Sequence, residues 1–390
     1  MNQRRSTYAF ADRGQRADVI RGARKCVIKV GTRLLTDIDG VSKADRITQL
    51  VQEIARLRQR GTDVVLVTSG AVGAGMKVLE TRKRPASLSM LQAHAAVGQS
   101  RLMYLYETAC IEHGFHCGQM LLTAADVKHR ERHLNITCCL DAMLGKGLLP
   151  VINENDSVSV DEIRFGDNDV LAALVATMIR ADLTVLLTTV DGMREREGQP
   201  PQFGERISLV RTVTPKLKAM ALGPEANQYS TGGMVTKLRA AEIVTRAGED
   251  LWIADGTDFR ILRRVFSGDD VGTLFSATSD SRMKGHKRYL AFFSRPEGDI
   301  VVDSGAVKAL VDHGRSLLPS GIVDVHGEFP RGRTVRILAE HGDEVARGVS
   351  NYSSRDIARI RGLQTSALKK VLGYEAYDEV VHRTYLVLTG

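Results

Sequence analysis

The stretch LLPVINENDSVSVDEIRFGDNDVLAALVATMIRA, residues 148–181, decides the fold. It predicts a buried strand over 148–152, a polar turn over 153–157, a hairpin-like excursion, and a helix that begins near Asp167–Asn168–Asp169. In an open α/β sheet, the carboxyl ends of strands and the N-termini of helices line the ligand crevice. The two Asn/Asp clusters therefore predict a site for a small polar ligand that carries an amine. Turn formation and N-capping are the alternative explanation for part of each cluster.

The chain before this stretch predicts a parallel sheet. KCVIKV at 25–30 and DVVLV at 63–67 are short β-branched apolar runs typical of buried strands, and an amphipathic helix lies between them. A strand–helix–strand succession pairs the two strands in parallel, because the helix carries the chain back to the starting edge of the sheet. Further strands are predicted at 115–122, 183–188 and 251–254, and helices at 88–113 (broken or bent near Gly98), 124–144 and 259–266, with a surface loop at 194–204.

The character of the sequence changes after about residue 279, where 279–288 is polar and basic and predicts a linker. Short strands separated by glycine turns are predicted at 300–302, 321–326, 334–338 and 345–349, with a helix at 355–372. We therefore expect an α/β domain with a mostly parallel open sheet covered by helices, joined to a small β-rich, barrel-like module. The predicted boundaries are a basic N-terminal extension at 1–24, the α/β domain at 25–278, the β-rich module at 288–373 and a C-terminal tail at 374–390.

Composition limits the functional classes. The chain has 390 residues, of which 43% are hydrophobic and 26% charged, as in an ordinary globular protein of two domains. No apolar run approaches the ~20 residues of a membrane span, so no membrane association is expected. The net charge of +8 suits anionic ligands such as phosphates. Five cysteines without a C-x-x-C pair predict neither a disulfide framework nor a zinc site, and a reducing cytoplasm is the expected location.

Two lysines and several glycine turns point to an anionic ligand. Lys29 lies inside the first strand, where a buried ammonium needs a partner or an anionic ligand; a lysine that extends to water is the alternative. Lys237 lies on the first turns of a helix, where by itself a surface lysine is the simpler interpretation. Glycine-bearing turns follow strands at Gly31, Gly70 and Gly192, and another opens a helix at 231–233; their backbone N–H groups suit phosphate or carboxylate oxygens. Neither a Walker A loop nor a G-x-G-x-x-G loop is present.

Seven motifs together carry a resemblance to a known family. They are KVGTRLLT (29–36), VTSGAVGAG (67–75), AAVGQSRLM (95–103), GQMLLT (118–123), INENDSVS (152–159), GDNDVLAAL (166–174) and STGGMVTKLRAA (230–241). In this order they resemble the glutamate 5-kinase branch of the amino-acid-kinase family, over about 25–275. Residues 288–373 resemble the PUA domain, most recognisably in SLLPSGI (316–322) and GEFPRG (327–332).

The resemblance implies an ATP-dependent transferase that phosphorylates the side-chain carboxylate of L-glutamate, the first step of proline biosynthesis. It implies ATP with Mg²⁺ held mainly by phosphates and no assignable protein metal ligand, feedback inhibition by proline through a loop around 153–164, and a dimeric or tetrameric homo-oligomer. Lys29 and Lys237 match the catalytic lysines, and Asp169 matches the acid that holds them. Ser69, Gly70, Ala71, Asn153, Asp156 and Asn168 match the glutamate site. The nucleotide site is matched by Lys29, Gly31, Thr188, Thr189, Asp191, Thr231, Gly232, Gly233, Met234 and Lys237.

One position departs from the family pattern. The family usually has Thr-Asp where this chain has Thr188-Thr189, and Asp191 is the expected functional substitute for the missing acid. Two alternatives stay open. One is another kinase of the same fold that acts on acetylglutamate, aspartate, carbamate or a nucleoside monophosphate. The other is RNA binding through the PUA module, with Arg288, Tyr289, Phe292, Phe293 and Arg295 as candidate contacts. The structural alternative is that Phe292 and Phe293 are divided between the core and the surface of the module and that the arginines are solvated.

Overall fold

The structure is a computed structural model that describes residues 13–35, 42–158, 168–197, 202–221, 233–277, 282–374 and 377–389. The chain divides into two compact units. The larger comprises 1–127 with 131–282, and the smaller comprises 128–130 with 283–390. Within the described residues, no helix combines the length and apolar character that crossing a membrane requires.

The larger unit is built on a sheet of eight strands in the order β3-β4-β2-β1-β5-β9-β10-β8. Its neighbours are parallel except β9 and β10, so the predicted mostly parallel open sheet is confirmed. A separate hairpin is formed by β6 and β7. The strands are β1 Lys25–Val30, β2 Asp63–Val67, β3 Cys117–Leu122, β4 Leu149–Glu154, β5 Leu183–Thr188, β6 Arg194–Glu197, β7 Gln202–Arg206, β8 Leu209–Val210, β9 Asp250–Asp255 and β10 Thr273–Phe275.

Helices flank this sheet, and their ends follow local sequence signals. The Ser42 side chain caps the second helix by accepting a hydrogen bond from the Asp45 N–H, and Gly61, with φ of 82°, follows its end. The helices up to residue 282 are α1 Arg13–Gly22, α2 Lys43–Gln59, α3 Ala71–Val78, α4 Leu88–Glu112, α5 Ala124–Lys128, α6 Arg130–Gly145, α7 Asn168–Ile179, α8 Pro215–Ala221, α9 Met234–Arg246 and α10 Ile261–Val265.

Strand β1 shows how the fold positions a charged side chain in the interior. Successive side chains of a strand point to opposite faces of the sheet. Cys26, Ile28 and Val30 pack into the core formed with α2 and α4. Lys29 therefore points to the other face, which is covered by α7, a helix buried along its whole length. This alternation places the ammonium of Lys29 beside Asp169 on α7.

Helix α4 passes through Gly98 without interruption, so the predicted break there is wrong. A Cβ at Gly98 would lie 1.8 Å from the Ala71 carbonyl oxygen, and one at Gly75 would lie 1.9 Å from the His94 carbonyl oxygen. Glycine at these two positions lets α3 and α4 approach backbone to backbone. Close packing accounts for glycine at position 98.

Three other predicted elements of the larger unit differ from the structure, and two short strands were not predicted. The single helix expected at 124–144 is two helices, α5 and α6, and the surface loop at 194–204 contains the β6–β7 hairpin. Strand β4 extends through Asn153 and Glu154, which were predicted as a turn. Strands β8 and β10 were missed because runs of two or three residues carry no periodic signal. The excursion at 159–167 lies outside the described residues.

Helix α1 lies within the predicted N-terminal extension and is anchored by Arg16, which is only 1% exposed. Its guanidinium donates to the Asp269 carbonyl (2.7 Å) and to the Ser208 carbonyl and hydroxyl (3.0 and 2.6 Å). It also forms an ion pair with Asp270 at 2.6 Å and lies over the Trp252 ring. These contacts tie α1 to the segments before β8 and β10.

The smaller unit has a five-stranded sheet in the order β12-β11-β13-β14-β15, in which only β11 and β13 are parallel. Its core includes Ile300, Ile337, Tyr352 and Ile357. The strands are β11 Gly298–Val302, β12 Ile322–His326, β13 Thr334–Ala339, β14 Glu344–Ser350 and β15 Val381–Leu388, and the helices are α11 Gly285–Phe292, α12 Ser304–Val311, α13 Ser354–Ile360 and α14 Leu368–Leu372.

Three predictions for this unit need correction. The predicted tail at 374–390 contains β15, which pairs with β14, and the predicted linker at 279–288 runs into helix α11. The helix predicted at 355–372 is split into α13 and α14. Phe293 is buried and Phe292 half-buried, as the core-and-surface interpretation expected, but Arg288 is buried rather than solvated.

Candidate active site

A cavity of about 780 Å³ lies at the carboxyl ends of β1, β2, β4 and β5 and at the N-termini of α7 and α9. This is the crevice that an open parallel sheet forms outside its strand ends. Described residues that line it are Lys29, Gly31, Thr32, Arg33, Leu34, Ser69, Gly70, Ala71, Val72, Gly73, Arg84, Leu91, Asn153, Glu154, Asp156, Asn168, Leu187, Thr188, Thr189, Gly233 and Lys237.

The deep end of the cavity is organised by a buried carboxylate between two lysines. The Lys29 ammonium lies 2.6 Å from Asp169 Oδ1, and the Lys237 ammonium lies 2.9 Å from Asp169 Oδ2. The three residues come from β1, α7 and α9, and none is more than 5% exposed. The Thr236 hydroxyl also donates to Asp169 Oδ2 at 3.3 Å. One carboxylate therefore positions two cations at this end of the cavity, and the three groups together carry a net charge of +1.

The protonation state of Asp169 follows from these contacts. Burial alone would raise the pKa of its carboxyl group, because it disfavours the charged form. The charges of Lys29 and Lys237 and their hydrogen bonds outweigh burial and hold the pKa below its ordinary value. Asp169 is therefore ionised at neutral pH and acts as a fixed counter-ion rather than as a proton acceptor.

Another wall of the cavity is a network of amides with the Ser69 hydroxyl. Asn168 Nδ2 lies within hydrogen-bond distance of the Thr68 carbonyl (2.5 Å), the Ser69 hydroxyl (2.8 Å) and Asn153 Oδ1 (2.9 Å). Asn153 in turn donates to Gln99 Oε1 at 3.0 Å. These bonds fix the orientation of both asparagines and of the Ser69 hydroxyl. Gln99, on α4, was not singled out from the sequence as a site residue.

Two cations outside the predicted set hold the turns at the cavity in place. Buried Arg46, on α2, donates to the Leu34 carbonyl at 3.0 Å and to the Thr257 carbonyl at 2.7 Å. Lys43 donates to the Gly70 carbonyl at 3.2 Å, and Gly70 has a φ of 96°, a left-handed conformation that favours glycine. Both contacts join α2 to the turns that follow β1 and β2.

The structure brings most of the predicted site residues to one cavity, but not all of them. Asp191 is not among the lining residues, and its carboxylate is bound by Arg194 at 2.7 Å, which lowers its pKa. It is therefore poorly placed to substitute for the missing acid beside Thr189, which does line the cavity. Met234 begins α9 without lining the cavity, and Thr231 and Gly232 lie outside the described residues.

Several lining residues were not predicted. Glu154 lies within the predicted polar cluster but was given no role, although it is 8% exposed at the end of β4. Arg33 and Arg84 contribute the other two cationic side chains of the described lining. Arg33 directly follows the glycine turn after β1, which was an available signal. No sequence signal pointed to Arg84, because it lies in a segment between two helices.

A second cavity, of about 250 Å³, adjoins the first and shares Ala71, Glu154 and Asp156 with it. Gln99 also lines this cavity, and its buried Nε2 lacks a hydrogen-bond acceptor among the described residues. Because Gln99 Oε1 binds Asn153, the second cavity is connected to the amide network by one side chain.

The arrangement as a whole defines a site for small anionic ligands. Two ammonium groups and glycine-bearing turns face one end, where phosphate oxygens fit the available donors. Carboxylates and amides face the other end, where an ammonium and a carboxylate of a small zwitterion fit. Within the described part of the chain, no group of three or more His, Cys, Asp or Glu side chains could hold a metal ion.

Comparison with known proteins identifies the family. The model of the amino acid kinase family matches residues 24–255, and that of the PUA domain matches residues 298–372. Glutamate 5-kinase of Trichlorobacter lovleyi is 45% identical over 96% of this chain and 99% of its own length. The glutamate 5-kinases of Caldanaerobacter subterraneus and Desulfotalea psychrophila are both 42% identical, over 93% and 96% of this chain and 97% and 99% of their own lengths.

A solved structure of Giardia carbamate kinase is 18% identical, with a TM-score of 0.43, and covers 65% of this chain and 99% of its own. The chain belongs to the amino acid kinase family and, within it, to the glutamate 5-kinases, and it carries a PUA domain.

Proposed function

We propose that this chain transfers the γ-phosphoryl group of ATP to the side-chain carboxylate of L-glutamate, giving L-glutamyl 5-phosphate and ADP for proline biosynthesis. The relatives named glutamate 5-kinase support the reaction. The observation that carries the mechanism is the Lys29–Asp169–Lys237 arrangement at the end of a cavity whose other wall is the Ser69–Asn153–Asn168 network.

The chemistry requires alignment more than proton transfer. The acceptor carboxylate has an ordinary pKa of about 4.3 and is already ionised at neutral pH. Its oxygen forms a bond to the γ-phosphorus, while the bond from that phosphorus to the β–γ bridging oxygen breaks and ADP leaves with the electron pair. Both reactants are anions, so the protein must hold them in line and offset their repulsion.

The two lysines supply the positive charge. Buried cations that are positioned in advance stabilise the charge on the transferring phosphoryl group more effectively than solvated ones. Asp169 forms ion pairs with both Lys29 and Lys237 and holds them in place. The backbone N–H groups of the Gly31 turn suit the phosphates. Mg²⁺, carried by the phosphates of ATP, would neutralise part of their charge.

The amide wall is suited to glutamate. The Ser69 hydroxyl and the N–H groups of Gly70 and Ala71 can donate to a carboxylate, and Asp156, with Glu154 beside it, offers negative charge to an α-ammonium. A nucleoside monophosphate acceptor would need more cationic side chains and fewer acidic ones at this wall. This contrast favours glutamate over that alternative.

A panel of acceptors tests the proposal. ADP release from Mg-ATP is measured with L-glutamate, N-acetyl-L-glutamate, L-aspartate, carbamate and UMP. We expect turnover with L-glutamate. With each of the other acceptors, kcat/KM should be lower by at least about 100-fold, on the order of the discrimination that polar groups left unpaired in a site impose. Higher kcat/KM with any other acceptor would assign the chain a different reaction within the same fold.

We also propose that proline inhibits the enzyme by competing near the glutamate site. The second cavity supports this, because its volume suits a small amino acid and Gln99 connects it to Asn153. The part of the 153–164 loop beyond 158 lies outside the described residues. With millimolar proline, the apparent KM for glutamate should rise while kcat stays constant. An unchanged KM over that range would reject competition.

We also propose a homo-oligomer that forms through an exposed face of α4. The exposed residues of this face are Met90 (49%), Val97 (37%), Tyr104 (60%) and Ile111 (56%). Residues spaced by seven positions lie on one face of a helix. An antiparallel pairing of two copies about a two-fold axis at Tyr104 would set Arg101 of one opposite Glu107 of the other. Light scattering should give at least a dimer mass, and Tyr104→Glu should reduce it to that of a monomer; an unchanged mass would reject this face.

A further inference from the structure

Arg84 is an exposed cation on the short segment that joins α3 to α4, at residues 79–87. It lines the large cavity together with Ser69, Val72 and Leu91. Two other basic residues, Arg82 and Lys83, lie on the same segment and are exposed, but neither lines the cavity. One of three neighbouring cations is thus directed to the wall where the amino acid is proposed to bind.

The segment that carries Arg84 is tied to both α3 and α4 through Thr81. The Thr81 hydroxyl lies 2.8 Å from Nε2 of buried His94, and the Thr81 N–H donates to the Met76 carbonyl at 2.8 Å. The ring nitrogen Nδ1 of His94 lies 2.6 Å from the Met90 carbonyl, so this histidine joins the segment to α4. Pro85 directly follows Arg84 and restricts its backbone to extended conformations. The contacts of Thr81 and the ring of Pro85 therefore limit the backbone conformations on both sides of Arg84.

The charges of the cavity leave one part of the proposed substrate without a cationic partner. Lys29 and Lys237 are both paired with Asp169 at the deep end, where phosphate is expected. Asp156 and Glu154 suit the α-ammonium. Of the other two cations of the described lining, Arg33 belongs to the turn after β1, on the side where phosphate is expected, and Arg84 belongs to the segment before α4. Within the described residues, no carboxylate forms an ion pair with Arg84, and arginine is the side chain best suited to bind a carboxylate through two parallel hydrogen bonds.

We infer that Arg84 binds the α-carboxylate of the acceptor amino acid and so makes the enzyme specific for acceptors in which that carboxylate is free. The inference rests on the proposed function, because it concerns the same acceptor site. It assigns Arg84 a role in substrate specificity, separate from the phosphoryl-transfer role of the lysines. The positive charge of the side chain matters through a local contact and not through the net charge of the surface.

The test compares two acceptors that differ only at the α-carboxyl group. L-glutamate and its α-amide, L-isoglutamine, both keep the side-chain carboxylate that is phosphorylated. Values of kcat/KM for both are measured with the unmodified enzyme, with Arg84→Gln and with the control Lys83→Gln, which removes the same charge from the same segment. Both substitutions are at exposed positions, and circular dichroism checks the fold.

The inference predicts a selective loss. Arg84→Gln should lower kcat/KM for L-glutamate by about 10- to 100-fold, the usual effect of a hydrogen bond to a charged group, and leave that for isoglutamine unchanged. Arg84→Lys should restore part of the loss, and Lys83→Gln should change neither value. If kcat/KM fell equally for both acceptors, if Lys83→Gln had the same effect and if added salt removed it, the cause would be a general electrostatic attraction of the anionic acceptors, and the inference would be overturned. Unchanged values of kcat/KM for Arg84→Gln would overturn it as well. Absence of glutamate turnover in the unmodified enzyme would instead reject the proposed function itself, and the inference with it.

Discussion

Replacing Lys29 with methionine should reduce kcat for glutamate phosphorylation by about 10²- to 10³-fold, the effect of removing one transition-state donor in other enzymes. Methionine has a similar length and keeps the interior position filled, but it places no charge beside the transferring phosphoryl group. The KM for glutamate should change much less, because the Ser69–Asn153–Asn168 network is separate from the lysine. Steady-state kinetics with both substrates varied measure the two effects.

The matched control lies on the same strand. Lys25 begins β1, at the end away from the cavity, and its ammonium lies 3.4 Å from the carboxylate of exposed Asp141. Lys25→Met should leave kcat within a few-fold of that of the unmodified enzyme. If Lys29→Met also stays within a few-fold while its fold is intact, the lysine has no role in the chemical step.

Replacing Asp169 with asparagine should destabilise the larger unit by about 3–5 kcal/mol, because two buried ammonium groups lose their counter-ion. The substitution keeps the shape of the side chain, so packing is preserved. The activity should fall as well, since Lys29 and Lys237 would no longer be held by a charge. Urea denaturation gives the change in the free energy of unfolding. Asp141→Asn, which breaks only the exposed pair with Lys25, should cost less than about 1 kcal/mol.

The stability difference between the unmodified chain and Asp169→Asn should depend on pH. The pKa of Asp169 is lower in the folded chain than the ordinary value of about 3.9, so the carboxylate contributes its full stabilisation above that value. The contribution is lost as the pH falls from about 4 through the lower, folded-state pKa. The difference in unfolding free energy should therefore be constant from pH 6 to 7 and shrink below about pH 4. A difference that grows on acidification would contradict the ionised state assigned to Asp169.

The elements that sequence patterns predicted well are those with a local signal. Strand β1 matched its prediction because a run of β-branched residues bounded by glycine is recognisable without knowledge of its neighbours. Helix α2 was predicted from the spacing of its apolar residues. Lys29 was singled out for the same reason, since a charged residue inside an apolar strand is visible in the sequence.

The features that sequence patterns could not predict depend on contacts between distant residues. Strand β15 has an exposed central stretch and is defined by pairing with β14, so it was interpreted as a tail. The Asn153–Gln99 bond joins residues 54 positions apart, and the contacts of Arg16 with Asp269 span 253 positions. Arg84 lines the cavity from the segment between α3 and α4, two helices that pack closely at Gly75 and Gly98. None of these carries a periodic or motif signal.

The central claim is that the side-chain carboxylate of L-glutamate accepts the phosphoryl group at this site. The most direct measurement is to trap the product with hydroxylamine in a reaction of the purified chain with Mg-ATP and L-glutamate, and to identify the hydroxamate by mass spectrometry. The account predicts L-glutamate 5-hydroxamate in amounts equal to the ADP released, and its loss with Lys29→Met. ADP release without the hydroxamate, or a hydroxamate formed only with another acceptor, would contradict the account.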